Sequence, residues 1–302
     1  MQEPARKHSR PDQGGALVDE APADAVTSVV TGASDVAPEP GVAKPEPTLV
    51  VNGLHRNFGG LVAVDVEHLE VQRNSITALI GPNGAGKTTM FNLLTGFDRP
   101  GRGHWSFEGE ELTGLPSYRI ACKGLVRTFQ LTKALARMSV LDNMMLAAPH
   151  QSGERLTQSA FHFRWRRQER RVRDRALDLL DRFDLLRMRD EYAGTLSGGQ
   201  RKLLELARAL MVEPRMVLLD EPTAGVNPVL LASILDHIRE LRDQGMTVLF
   251  VEHDMDVVMG ISDWVVCMDI GRVIAEGPPT TIGTNEAVID AYLGARRHGD
   301  GS

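Results

Sequence analysis

Gly81-Pro82-Asn83-Gly84-Ala85-Gly86-Lys87-Thr88-Thr89 is the stretch whose reading decides the fold. It fits the pattern G-x-x-x-x-G-K-[ST], which alone could be a glycine-rich turn. Its flanks add weight. Ile76-Thr77-Ala78-Leu79-Ile80 is short, apolar and partly β-branched, so it reads as a buried strand. Beyond the loop, Met90, Phe91 and Leu94 recur at helical spacing, and Gly96 offers a stop. Between a strand and a helix, Gly81, Gly84 and Gly86 let the backbone wrap closely and turn its N–H groups inward. The helix start adds its positive end. Lys87 brings a mobile charge for outer phosphates and Thr88 a hydroxyl for Mg²⁺. A bound nucleoside triphosphate is therefore expected over Gly81 to Thr89.

The chain has 302 residues and a net charge of −6, from 34 basic and 40 acidic side chains. That balance gives no support to a nucleic-acid partner. Cys122 and Cys267 lie far apart with no metal-ligand spacing and read as reduced thiols. No apolar run is long enough to span a bilayer, and the first residues lead into no apolar signal core.

Residues 1 to about 46 are rich in Ala, Pro, Asp, Glu and Gly without apolar periodicity. They read as a disordered extension. Thr48-Leu49-Val50-Val51 opens the folded part. Phe58-Gly59-Gly60 makes a turn, and Val62, Val64 and Val66 alternate as in a strand. Phe58 is either a core residue or a face on which an adenine stacks. Gly103 to Phe107, with a turn over Glu108-Gly109-Glu110, adds another strand. Val126 to Gln130 reads as a strand ending in an amide. From Val140 to about residue 195 no strand pattern appears, so a helical insert is expected, about residues 131–211. Within it Phe161 to Arg175 is Arg-rich with aromatics. A solvated helix face is the default reading, with anionic lipid or nucleic acid as the alternatives.

Leu196-Ser197-Gly198-Gly199-Gln200 opens a helix whose stripe is Leu203, Leu206, Ala207, Leu210 and Met211, with Lys202, Glu205 and Arg208 off it. This start is a plain N-cap or a second anion site. Met216 to Leu219 is a buried strand ending in Asp220 and Glu221. Such strand ends face the phosphate crevice of an open α/β sheet. Asp220 suits Mg²⁺, and Glu221 suits a base that takes a proton from attacking water. Asn227 and Pro228 start the next helix. Thr247 to Val251 is a further strand, ending in Glu252-His253-Asp254, where His253 is placed for a γ-phosphate contact. Val265 to Glu276 reads as a hairpin. A helix from about Glu286 to Leu293 closes the domain, followed by a flexible tail over residues 295–302.

Taken in order, the phosphate loop, Gln130, Leu196 to Gln200, Asp220 with Glu221, and His253 resemble the ATP-binding subunits of ABC transporters. The resemblance covers about residues 48–294 and implies an α/β P-loop ATPase core with an N-terminal antiparallel β subdomain and an inserted α-helical subdomain, a domain of residues 47–294. It implies a head-to-tail dimer holding two ATP molecules, with Ser197 and Gly199 clamping a γ-phosphate across it. It further implies Phe58 as the adenine-stacking aromatic, Gln130 as an amide contacting Mg²⁺ and water, and His253 as the switch histidine. Asn227 stands where an Asp is frequent, which keeps the cap and removes a charge. Phe58 to Val64, Arg127 to Gln130, Ala224 to Pro228, Glu252 to Met255 and Ala291-Tyr292-Leu293-Gly294 look like the Liv-type subunits that energise uptake of branched-chain amino acids. That likeness implies permease subunits in the membrane, a second ATP-binding subunit, an indirect periplasmic or lipid-anchored solute-binding protein, and a peripheral place on the cytoplasmic face. It leaves soluble ABC ATPases acting on ribosomes or DNA, and exporter or lipid-extraction ATPases, as the rival readings.

Overall fold

The structure, a computed structural model, describes residues 36–128, 136–149 and 162–299. β1 (Pro47–Phe58) and β2 (Leu61–Gln72) form a hairpin, and β3 (Ile76–Ile80) leads into α1 (Lys87–Leu94). β4 (Arg102–Phe107), β5 (Glu110–Glu111), α2 (Ser117–Cys122) and β6 (Leu125–Arg127) follow. Then come α3 (Val140–Leu146), α4 (His162–Arg182) and α5 (Gly198–Leu210). β7 (Met216–Asp220), α6 (Pro228–Asp243), β8 (Thr247–Val251) and α7 (Met255–Ile261) alternate. β9 (Trp264–Asp269), β10 (Arg272–Gly277), α8 (Pro279–Ile282) and α9 (Glu286–Gly299) complete the described elements.

Two sheets result. One is antiparallel, in the order β2-β1-β4-β5; the other has the order β10-β9-β3-β8-β7-β6. In the second, β3 runs parallel to β8 and β9, β7 to β8 and β6, and only β10 is antiparallel. Every residue of β3 and β8 is buried, which is why both read as unbroken apolar runs. Side chains alternate across this sheet with period two. Ile76, Ala78 and Ile80 join Val217, Leu219, Val248 and Phe250 in a core shared with α3, α4, α5 and α6. Leu79, Met216, Leu218, Leu249 and Val251 face the other way, into a core shared with α1 and the antiparallel sheet around Trp105 and Phe107. The phosphate loop thus leaves the middle of a sheet clamped on both faces.

Three expectations meet a different structure. The last part of the extension expected to be disordered, residues 36–46, lies on the folded body. Gly41 and Val42 donate their N–H groups to Glu276 Oε1 at 2.5 and 3.1 Å, and Lys44 Nζ donates to Glu276 Oε2 at 3.0 Å. Lys44 also sits 3.9 Å above the Trp264 ring. Composition could not show this, because one buried acid on β10 gathers the segment. Residues 1–35 lie outside the described residues. The strand expected over Val126 to Gln130 ends at Arg127, although Thr128 still donates to Leu218 O at 3.0 Å; Phe129 and Gln130 lie outside the described residues. Finally, α9 continues to Gly299, past the expected helix end near Leu293 and into the span expected as tail.

Candidate functional site at the carboxyl ends of the parallel strands

The phosphate loop is built by close backbone approaches. Gly81 and Gly86 have φ of 143° and 100°. A Cβ on Gly81 would collide with the Met268 carbonyl oxygen, and one on Gly86 with that of Ala63. Gly84, with φ 83°, faces open space. The first and last glycines are therefore required by packing, and the middle one by the turn. α1 has no side-chain cap at Gly86, so no side chain caps its first N–H groups and an anion can take them. Lys87 Nζ donates to Gly81 O at 2.7 Å and Pro82 O at 3.0 Å. Burial holds its pKa below the ordinary lysine value, opposed by the negative charges of Glu221 and Asp220. The loop lysine and the acids at the end of β7 thus share one crevice. Thr88 is exposed, one residue into α1.

Asp220 ends β7 with a side chain 31% exposed, and Arg127 NH2 contacts its carboxylate at 2.5 Å. Arg127 is also tied to Asn92 Oδ1 of α1 at 2.6 Å. Glu221 follows with φ 47°, a left-handed conformation that costs a non-glycine residue about 1 kcal/mol or more. Its N–H donates to Val251 O at 3.0 Å, and its carbonyl accepts Lys202 Nζ at 3.0 Å. Helix α5 therefore holds the backbone of the expected base, a role the sequence pattern did not assign to Lys202. His253 is exposed, and its Nδ1 lies 3.9 Å from Glu221 Oε1. That is too long for a hydrogen bond.

The pentapeptide begins α5. Ser197 Oγ accepts the Gln200 N–H at 3.3 Å, and Gln200 Oε1 accepts the Ser197 N–H at 2.9 Å, a complete capping box. Leu196 and Gly199 are buried, while Ser197 and Gly198 are exposed. A Cβ on Gly199 would meet Leu230 and Val226, so this glycine lets α5 close onto the loop after Glu221. Asn227 accepts the Leu230 N–H at 3.0 Å and starts α6 as expected. Phe58 is 50% exposed beside the β1–β2 turn, with the Arg56 guanidinium 4.6 Å above its ring. It is not a core residue.

Three residues were missed by sequence reasoning. Glu205, off the apolar stripe, is 9% exposed and lines a cavity of about 10 Å³ with Lys202, Asp220 and Thr128. Burial raises its pKa to about 7; Asp220 adds to this, against Lys202 and Arg208. Glu252 is fully buried at the end of β8. Tyr292, on α9, accepts the Gly81 N–H with its hydroxyl at 2.9 Å.

Magnesium fits the donors present, the Thr88 hydroxyl and the Asp220 carboxylate. They are hard oxygen ligands of the kind Mg²⁺ takes beside substrate phosphates. Asp220 already carries a cationic partner in Arg127.

A family model described as ABC transporter matches residues 64–224. Another, described as Branched-chain amino acid ATP-binding cassette transporter, matches residues 272–298. The high-affinity branched-chain amino acid transport ATP-binding protein BraF of Pseudomonas aeruginosa is 42% identical over 250 residues, covering 82% of this chain and 98% of that protein. Its counterpart LivG of Escherichia coli K12 is 42% identical over 256 residues, with the same coverage of 82% and 98%. A solved nucleotide-free ATP-binding cassette from an ABC transporter is 35% identical, with a TM-score of 0.73 over 82% of this chain and 98% of that one. A cassette solved in its ADP conformation also gives 35% and 0.73. The chain thus belongs to the ATP-hydrolysing ATP-binding subunits of ABC transporters, in the branch of the branched-chain amino acid cassettes.

Proposed function

We propose that this subunit energises uptake of branched-chain amino acids, or a similar small polar solute, through separate permease subunits. It works from the cytoplasmic face of the membrane, and the solute reaches the permease from a periplasmic or lipid-anchored binding protein. Among the described residues no helix is long and apolar enough to cross a bilayer, and this reading assigns the solute path to partner chains. The observation that carries the reading is the convergence of Lys87, Asp220, Glu221 and His253 at the carboxyl ends of β3, β7 and β8.

The chemistry follows from those positions. Phosphates replace Gly81 O and Pro82 O as acceptors for Lys87 Nζ, and the uncapped start of α1 receives their charge. Phe58 offers its open face to adenine. Mg²⁺, when bound, neutralises phosphate charge, with Thr88, Asp220 and Gln130 as its protein donors. Glu221 takes a proton from the water that attacks the γ-phosphorus, and the P–O bond to ADP breaks. His253 contacts the γ-phosphate, and the amide of Gln130, outside the described residues, is assigned to Mg²⁺ and the attacking water. Ser197, Gly198 and Gly199 of a second ATP-binding subunit, of a related or identical chain, close the site from the other side, with Leu196 and Gln200 holding that turn. The exposure of Ser197 and Gly198 at the start of α5 supports this.

Glu221→Gln tests the assignment. It keeps the shape of the side chain and removes its basicity, so MgATP binding and dimerisation persist while hydrolysis falls by about 10²-fold or more. Wild-type turnover in this variant refutes Glu221 as the base. Purifying the tagged chain from membranes tests the transport reading: permease and solute-binding partners support it, and a ribosome overturns it.

A further inference from the structure

The carboxylate of Glu252 has no part in the chemistry above, yet it lies between the two groups that do. It is the first residue after β8 and immediately precedes His253. Its side chain has 0% exposure. An acid so deeply buried is ordinarily held by a cation. Glu252 instead gathers three donors. The Thr223 N–H donates to Oε1 at 3.1 Å, the Thr223 hydroxyl donates to the same oxygen, and the His253 N–H donates to Oε2 at 3.2 Å. Among the described residues the basic atom near it is Nδ1 of His253, at 3.8 Å on an exposed ring.

Those donors belong to two separate turns. Thr223 lies two residues beyond Glu221, in the turn that ends β7; His253 lies in the turn that ends β8. A second cross-link, from the Glu221 N–H to Val251 O, joins the same pair of turns at 3.0 Å. Packing alone would be served by an apolar residue at 252, but the Thr223 and His253 N–H groups would then lose these acceptors.

We propose that Glu252 is a positioning residue for ATP hydrolysis: its carboxylate staples the turn carrying Glu221 to the turn carrying His253 and fixes the two side chains relative to each other. The inference rests on the roles given above to Glu221 and His253. It acts through them, because the Glu252 carboxylate is itself sealed from solvent.

Glu252→Gln is nearly isosteric. In either orientation its NH₂ group faces a backbone N–H, so one side of the staple opens. The full-length protein is compared with wild type by fluorescent-nucleotide binding and by steady-state MgATP hydrolysis. The expected result is a kcat reduced about 10-fold or more, with KM and nucleotide Kd unchanged within about twofold, since small misplacements of reacting groups act on the chemical step. Thr223→Val removes the hydroxyl alone and is expected to lower kcat severalfold at unchanged KM. The double variant should lose little beyond Glu252→Gln, because both act through one contact. A kcat within twofold of wild type in Glu252→Gln overturns the inference; so does a kcat loss matched by the loss of binding-competent protein, with Thr223→Val at wild-type kcat. Glu221→Gln is assayed alongside. An inactive Glu221→Gln beside an unaffected Glu252→Gln overturns the staple alone, whereas an active Glu221→Gln overturns the assignment on which it rests.

Discussion

Glu205→Gln should make the protein's stability less sensitive to alkali. Glu205 is a buried acid on α5, 9% exposed, and burial raises its pKa to about 7 from the usual 4.5. Because the folded-state pKa is raised, the folded chain holds this proton more tightly than the unfolded chain does. Below about pH 4.5 the group is neutral in both states and contributes nothing to the pH dependence. Between about pH 4.5 and 7 the unfolded carboxyl ionises first, and folding stability declines. Above about pH 7 both forms are ionised and the penalty levels off at roughly 3 kcal/mol, from 2.5 units at 1.36 kcal/mol each. Between pH 6 and pH 8 the same relation gives a loss of about 1.3 kcal/mol in the wild type. Glutamine does not titrate, so the stability gap, variant minus wild type, should widen by about 1 kcal/mol over that interval. In a folded body of this size that is about 2–4 °C in Tm. Thermal melts of both proteins in the same buffers at pH 6 and pH 8 read the difference. Any pH-independent effect of the substitution cancels between the two gaps. A gap equal at both pH values refutes the raised pKa.

Two further outcomes follow from the contacts of the chain ends. Lys44→Met removes the cation from the buried Glu276 carboxylate while the Gly41, Val42 and Trp264 donors stay, and should cost about 3 kcal/mol, measured as a lower urea midpoint. A midpoint equal to wild type shows that residues 36–46 do not hold the fold. Tyr292→Phe leaves the Gly81 N–H without its acceptor and should cost about 1–3 kcal/mol, read as a Tm decrease that saturating MgATP reduces but does not abolish.

Why so much of this site was legible, and some of it not, comes down to the range of the interactions. The phosphate loop, the capping box at Ser197 and the strand ends at Asp220 and Glu221 are local: each is fixed by neighbours within a few positions. Residue type and spacing therefore carry the information. The parallel strands were readable for the same reason, since burial on both faces writes itself as a continuous apolar run. What escaped depends on contacts across long sequence separations. Lys44 finds Glu276, 232 residues away, and Tyr292 finds Gly81, 211 residues away. No local pattern in an Ala- and Pro-rich segment, or on the last helix, announces either partner. Glu205 and Glu252 mislead in a more specific way. A charged residue beside an apolar stripe or at the end of a strand is ordinarily solvated, so the pattern argues for exposure. Each is buried because a second element covers it: the loop after Glu221 passes over both, closing on α5 around Gly199 and on the end of β8 through Thr223. The glycine of the signature and the threonine after the base thus share one consequence. They bring the loop of the expected base against helix and strand together, and at that junction two acids remain in the interior of an otherwise regular α/β core.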